Sequence, residues 1–294
     1  MGLLHWILNL AALLLWIYWR TQAVRTHPAT RRGNAAWTSR LGWRFGRWSF
    51  VLLLLVALLM VRAGFYHLAI PRTGWDARLS FFQFHSANAF SLSLVFPWMK
   101  LETQLAFSVA SFVGWLVPCG YCLVLLAAIK PNSADARNWN QFLASQLGWL
   151  HRLPAVILAV VMLALAGAAY YGLTFWFRRL EILPPQTTAE EATRLACGMA
   201  LHNLRYVAWF AIAVLGLHVL ANYIYFGGFA FWKNAEAAGS NLLRALRWLP
   251  LRWDRIDFTP LVGILLAYGL VLLLDPEQLS RIYQLLLRYF PGLT

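Results

Sequence analysis

The chain reads as an all-α protein of the membrane: a polytopic transmembrane helix bundle, six spans in three hairpin repeats, with interfacial amphipathic helices. Composition is the first reason. Of 294 residues, 61% are hydrophobic and only 12% are charged, where a soluble domain carries roughly a quarter. Mean hydropathy is +0.58. The second reason is that six stretches are apolar over 17 residues or more, close to the roughly 20 that cross a bilayer. The third is charge placement, since basic residues gather in alternate loops. A soluble fold with 16 Trp and this little charge would expose apolar surface that aggregates, so a soluble globular enzyme is excluded, and so is disorder.

Taken in order, Gly2–Trp19 has no basic residue before its apolar run, and its arginines follow it. That is the reverse of a secretory leader and predicts a retained span with its N-terminus outside. Trp48–Ile70 is the second span, and Arg62 is the one charge inside an apolar run. It lies eight residues from the outer end and is expected to snorkel to headgroups. Leu79–Phe96 is uncharged and could be a seventh span or a re-entrant piece, but its Gln83, His85, Ser86, Asn88, Ser91 and Ser93 favour an interfacial or protein-buried helix. Leu105–Ile129 is the third span and carries Pro118. Pro154–Phe177 is the fourth; its Ala155/Ala159 and Ala164/Ala168 pairs predict the packing centre of the bundle, with a homodimer face as the rival reading. Leu204–Phe231 and Phe258–Leu274 complete the six, and Ala189–Asn203 and Glu277–Tyr289 are further amphipathic segments. The organisation is a hairpin over 1–70, an outside segment over 71–104, a hairpin over 105–177, an outside segment over 178–203, a hairpin over 204–275 and a C-terminal amphipathic helix over 276–294.

Net charge is +14. Residues 20–47 hold seven arginines and no acid, and the loops 130–153 and 232–257 bring the basic count on that side to fifteen, against eight on the other. The positive-inside rule then places both termini outside and the basic loops in the cytoplasm of an inner membrane. Basic residues so placed meet anionic lipid headgroups, not nucleic acid. Ser39-Arg40-Leu41-Gly42-Trp43 and Ser145-Gln146-Leu147-Gly148-Trp149 stand before spans two and four, and Ser240-Asn241-Leu242-Leu243 before span six, which suggests one unit repeated three times.

Arg247-Trp248-Leu249-Pro250 is followed by Asp254-Arg255-Ile256-Asp257-Phe258-Thr259-Pro260 and an apolar span. This resembles the YggT family of small membrane proteins, over Asn222–Leu274 and more loosely over Val113–Phe177. The family's Glu-Pro before the basic stretch is absent here. The resemblance implies a non-catalytic protein that supports assembly or organisation of a membrane complex, with a membrane-protein partner or a second copy of itself. Arg247, Pro250, Arg252, Arg255, Asp257, Thr259 and Pro260 are the expected partner- or lipid-docking corner. Independently of any family, Asp257 or Thr259 suits a helix cap, and Pro260 suits the first helical turn.

Two other functions stay open. One is a membrane redox or haem protein. Cys119 and Cys122 sit at i and i+3 on one helical face, within reach of a disulfide. His67, His85 and His202 all fall at the outer face, where two could hold a haem b or three a metal. The commoner role of such residues is structural, and no cofactor is the first expectation. The other is a small-solute channel or carrier, for which the spans offer few polar residues.

Overall fold

A computed structural model describes residues 2–25, 47–73, 77–85, 88–97, 99–129, 136–183, 188–224, 230–246, 252–253 and 256–275. Helix α1 is Gly2–Arg25 and α2 is Arg47–Thr73. Strands β1 (Arg78–His85) and β2 (Asn88–Val95) follow, then α3 (Leu101–Ala128). A short helix α4 (Ala136–Leu147) and a 3-10 turn (Gly148–Arg152) lead to α5 (Ala155–Arg179). Helices α6 (Ala189–His202) and α7 (Arg205–Tyr223) are followed by α8 (Ala230–Leu242) and a second 3-10 turn (Leu243–Leu246). A two-rung ladder of β3 (Arg252–Trp253) with β4 (Ile256–Asp257) precedes α9 (Thr259–Leu273).

Five helical stretches are long and apolar enough to cross a membrane: Gly2–Gln22, Ser49–Pro71, Leu101–Ala128, Ala155–Arg179 and Ala189–Asn222. The last runs through α6 and α7, which meet at a turn at Asn203 and Leu204. The sixth expected span is α9, a helix of 15 residues. At 1.5 Å per residue it reaches about 22 Å, short of a hydrocarbon core of about 30 Å.

Leu79–Phe96 is not a helix. Its residues form the antiparallel pair β1–β2, in register from Arg78 opposite Val95 to His85 opposite Asn88. The cause is periodicity. Phe90, Leu92 and Leu94 alternate with Ser91 and Ser93, an apolar-polar repeat of two that suits a strand with one face covered. The ladder closes with Phe96 N donating to the Ala77 carbonyl at 2.9 Å. Buried Gln104 then fastens it to α3: its amide donates to the Phe96 and Pro97 carbonyls, each at 3.1 Å.

The bundle centres on α3, not on the alanine-rich fourth span. α3 packs on α1, α2, α5 and α7 and is the most buried of the five candidate spans, whereas α5 packs mainly on α3 and α6. Ala159, Ala164 and Ala168 face outward. Small residues permit close helix approach but do not demand it, and against lipid tails they cost nothing comparable to an exposed apolar side chain in water. The main core lies at the end of the bundle that carries β1–β2, where Tyr66, Phe96, Phe107, Phe177 and Leu195 meet. Phe96 stacks edge-on against Phe177 at 5.3 Å between centroids.

The opposite end is tied by polar groups. Arg20 on α1 donates from Nε and Nη2 to the Gln146 carbonyl at 3.2 and 2.9 Å, and Gln146 Nε2 returns a bond to the Ile17 carbonyl at 3.3 Å. Gly148 adopts φ +62, and a Cβ there would lie 3.2 Å from Arg20 Nη2. A residue with a side chain would meet both a strained backbone and the guanidinium, so glycine suits the turn.

Candidate functional site

Among the described residues, a cluster of buried polar groups within the candidate spans surrounds Arg62. The sequence predicts a snorkelling arginine, but Arg62 is 1% exposed. The reason is a partner set on α1 and on its own helix. Arg62 Nη1 donates to Asn9 Oδ1 at 2.7 Å and Nε donates to Tyr66 Oη at 3.0 Å, with Nη2 3.4 Å from His5 Nδ1. Its guanidinium also lies 5.4 Å from the Tyr66 ring centre. Asn9 Nδ2 donates to Ser111 Oγ at 3.0 Å, and His5 Nε2 is 3.1 Å from both. Tyr66 Oη lies 2.8 Å from His5 Nδ1.

Helix geometry explains the assembly. His5 and Asn9 are four apart on α1, and Arg62 and Tyr66 are four apart on α2, so each pair shares a face. Ser111 meets the α1 pair from α3. Every hydrogen-bond partner of Arg62 among the described residues is formally neutral, so the guanidinium is buried with no carboxylate beside it. A charge in that position is costly, and its compensation defines what the site does.

A cleft of about 310 Å³ adjoins this network. His5 and Ser111 line it from the arginine side, Tyr170 from α5, and His202, Asn203 and Arg205 from the α6–α7 corner. Asn203 Nδ2 donates to Tyr170 Oη at 2.6 Å and to the Met199 carbonyl at 2.8 Å, which holds that corner against α5. α6 itself starts with a capping box: Thr188 Oγ1 accepts from Glu191 N at 3.2 Å and Glu191 Oε2 accepts from Thr188 N at 2.9 Å.

The histidines expected at one face are only partly brought together. His202 lines the cleft, His67 is half-buried on α2, and His85 stands on β1 with its side chain outside the description. Among the described residues no group of three or more His, Cys, Asp or Glu is placed to hold a metal ion. Cys119 and Cys122 are both free, half-buried thiols, and Cys122 Sγ points to the Tyr206 carbonyl at 4.0 Å.

At the expected docking corner, Arg247, Pro250 and Arg255 lie outside the described residues. The β3–β4 register sets Arg252 opposite Asp257. Asp257 Oδ1 accepts from Thr259 N at 2.9 Å, and buried Thr259 and Pro260 open α9. The carboxylate therefore serves one of the helix-start N–H groups that have no partner within the helix.

Sequence reasoning missed His5, Asn9, Tyr66, Ser111 and Tyr170. The available signal was the spacing of polar pairs by four within otherwise apolar helices.

These features define a mainly helical, multi-pass membrane protein. No family model, no curated protein and no solved structure matches this chain.

Proposed function

We propose that this chain is a non-catalytic, YggT-like protein of the bacterial inner membrane that supports assembly or organisation of a membrane complex. The observation that carries this reading is that interior polar groups act as fasteners between elements. His218 Nδ1 donates to the Glu236 carbonyl at 2.9 Å, Tyr121 Oη to the Ala200 carbonyl at 3.1 Å, and Asn241 Nδ2 to the Ile129 carbonyl at 3.2 Å. Trp139 Nε1 donates to the Leu126 carbonyl at 3.2 Å. Groups held this way fix helix positions, which is what an assembly platform needs.

The repeat reading draws support from two like passages. α3, α4, a 3-10 turn and α5 follow one another as α7, α8, a 3-10 turn and α9 do, except that the β3–β4 ladder precedes α9 in the second passage. Six spans with both termini outside require the basic loops in the cytoplasm. Reporter fusions at positions 30, 140 and 245 are expected to read cytoplasmic, and an external signal at 140 would remove both the topology and the repeat.

The docking role of the Asp257 corner separates from its capping role by substitution. Asn and Ser are both good caps. Asp257→Asn and Asp257→Ser are therefore expected to keep detergent stability within about 0.5 kcal/mol, while Asp257→Ala loses on the order of 1 kcal/mol. If the carboxylate docks a partner by charge, Asn and Ser also lose the protein that co-purifies stoichiometrically in mild detergent. Full partner recovery in both would leave the corner a cap and nothing more. Stoichiometric haem in a purified, partner-free chain would replace the assembly reading with the redox one.

A further inference from the structure

We propose that the cleft beside Arg62 binds a phosphate-type anion, carried by a lipid headgroup or free in solution. Three observations converge on it. The first is charge. Arg62 is buried among neutral partners and lies behind the cleft wall: its Nη2 is 3.4 Å from Nδ1 of His5, which lines the cleft. Arg205 lines the cleft from α7, and among the described residues no Asp or Glu lines it. Asp275, at the end of α9, acts electrostatically on His202 from outside the lining. In a low-dielectric setting, one arginine in the wall and a second behind it favour an anion.

The second is an unused donor. Tyr170 is 2% exposed, lines the cleft, and accepts through Oη from Asn203. Its own proton has no acceptor among the described residues. A buried O–H without an acceptor is unfavourable, and an anionic oxygen in the cleft would take it as a short, charge-assisted bond.

The third is the rim. Trp115 and Tyr206 border the cleft, and Trp6 packs edge-on against Trp115 at 5.2 Å between centroids. Tyr206 is 40% exposed and its hydroxyl accepts from Arg205 Nη2 at 3.3 Å. Aromatic rings with one polar end gather at headgroup depth. A phosphate in the cleft has Arg205, Tyr170 and Ser111 in its lining.

The test uses the full chain purified in mild detergent. Native mass spectrometry is run with titrated phosphatidylglycerol, and melting is followed with added inorganic phosphate in a separate arm. Wild type is expected to hold one tight anion per chain. Tyr170→Phe, which keeps the ring, and Arg205→Gln on the rim should each weaken it roughly tenfold, the loss expected of one hydrogen bond to a charged group. Arg179→Gln is the control: Arg179 is at the same end, exposed, and stacked on Phe175 at 5.3 Å. It should bind as wild type does. Variant-sensitive binding of phosphatidylglycerol alone assigns the anion to lipid. The same sensitivity with inorganic phosphate assigns it to the free ion. Wild-type binding of both probes by Tyr170→Phe and Arg205→Gln, or an equal loss in Arg179→Gln, overturns the site.

Discussion

Asn9→Leu is expected to destabilise the protein by about 3–5 kcal/mol, the cost of stranding a buried charge. The side chains are close in size, so packing changes little. What changes is the surroundings of Arg62. Asn9 is fully buried, and its Oδ1 is the nearest acceptor of the guanidinium, at 2.7 Å. Leucine leaves the cation with Tyr66 and His5 alone, and also removes the donor that serves Ser111. Arg62→Met should cost less, about 1–2 kcal/mol, because it removes the charge itself. It leaves Asn9 bonded to Ser111 and Tyr66 close to His5. Hydrogen bonds between helices in a bilayer are worth only about 0.6–1.7 kcal/mol each, so bonds alone would make the two losses similar. The charge makes them unequal. In the double variant the second change should cost far less than it does alone. Reversible unfolding in mixed micelles measures all three. Equal single losses that add would mean the burial of Arg62 is not what the network offsets.

The spans were legible because length and hydropathy are properties of a stretch, and α1, α2, α3 and α5 need nothing more. Which face of a span meets a neighbour is a property of pairs of stretches, and there the reading failed. Arg62 reads as a snorkelling residue until α1 is known to bring Asn9 to it. The alanines of α5 read as an interface until α3 is seen to be the hub. β1 and β2 were hidden by composition: Leu79–Phe96, rich in Phe, Leu, Ser and Ala and without charge, describes a helix or a strand equally well, and only the period of two in Phe90–Leu94 distinguishes them. The Asp257-Phe258-Thr259-Pro260 corner was legible because capping is local, while what docks there depends on a molecule outside the chain.

Gly239→Ala should destabilise by about 1–3 kcal/mol, although alanine forms helix better than glycine by about 1 kcal/mol. The sign rests on His218. A Cβ at Gly239 would overlap the His218 Cβ and lie 2.5 Å from its ring Cγ and 2.9 Å from Nδ1. These are atoms near the α7 backbone, not the end of a flexible chain, so α8 itself must move. Movement also loosens the bond from His218 Nδ1 to the Glu236 carbonyl, one turn earlier on α8. Asn222 Nδ2, 3.1 Å from Nε2, holds the ring from the other side, so it cannot swing away without giving up a second bond. His218→Ala opens the space. In that background Gly239→Ala should be neutral or stabilising, since only the helix preference remains. Detergent unfolding of the two single variants and the double checks the argument. A stabilising Gly239→Ala in the wild-type background would show that α8 is not seated on the His218 ring.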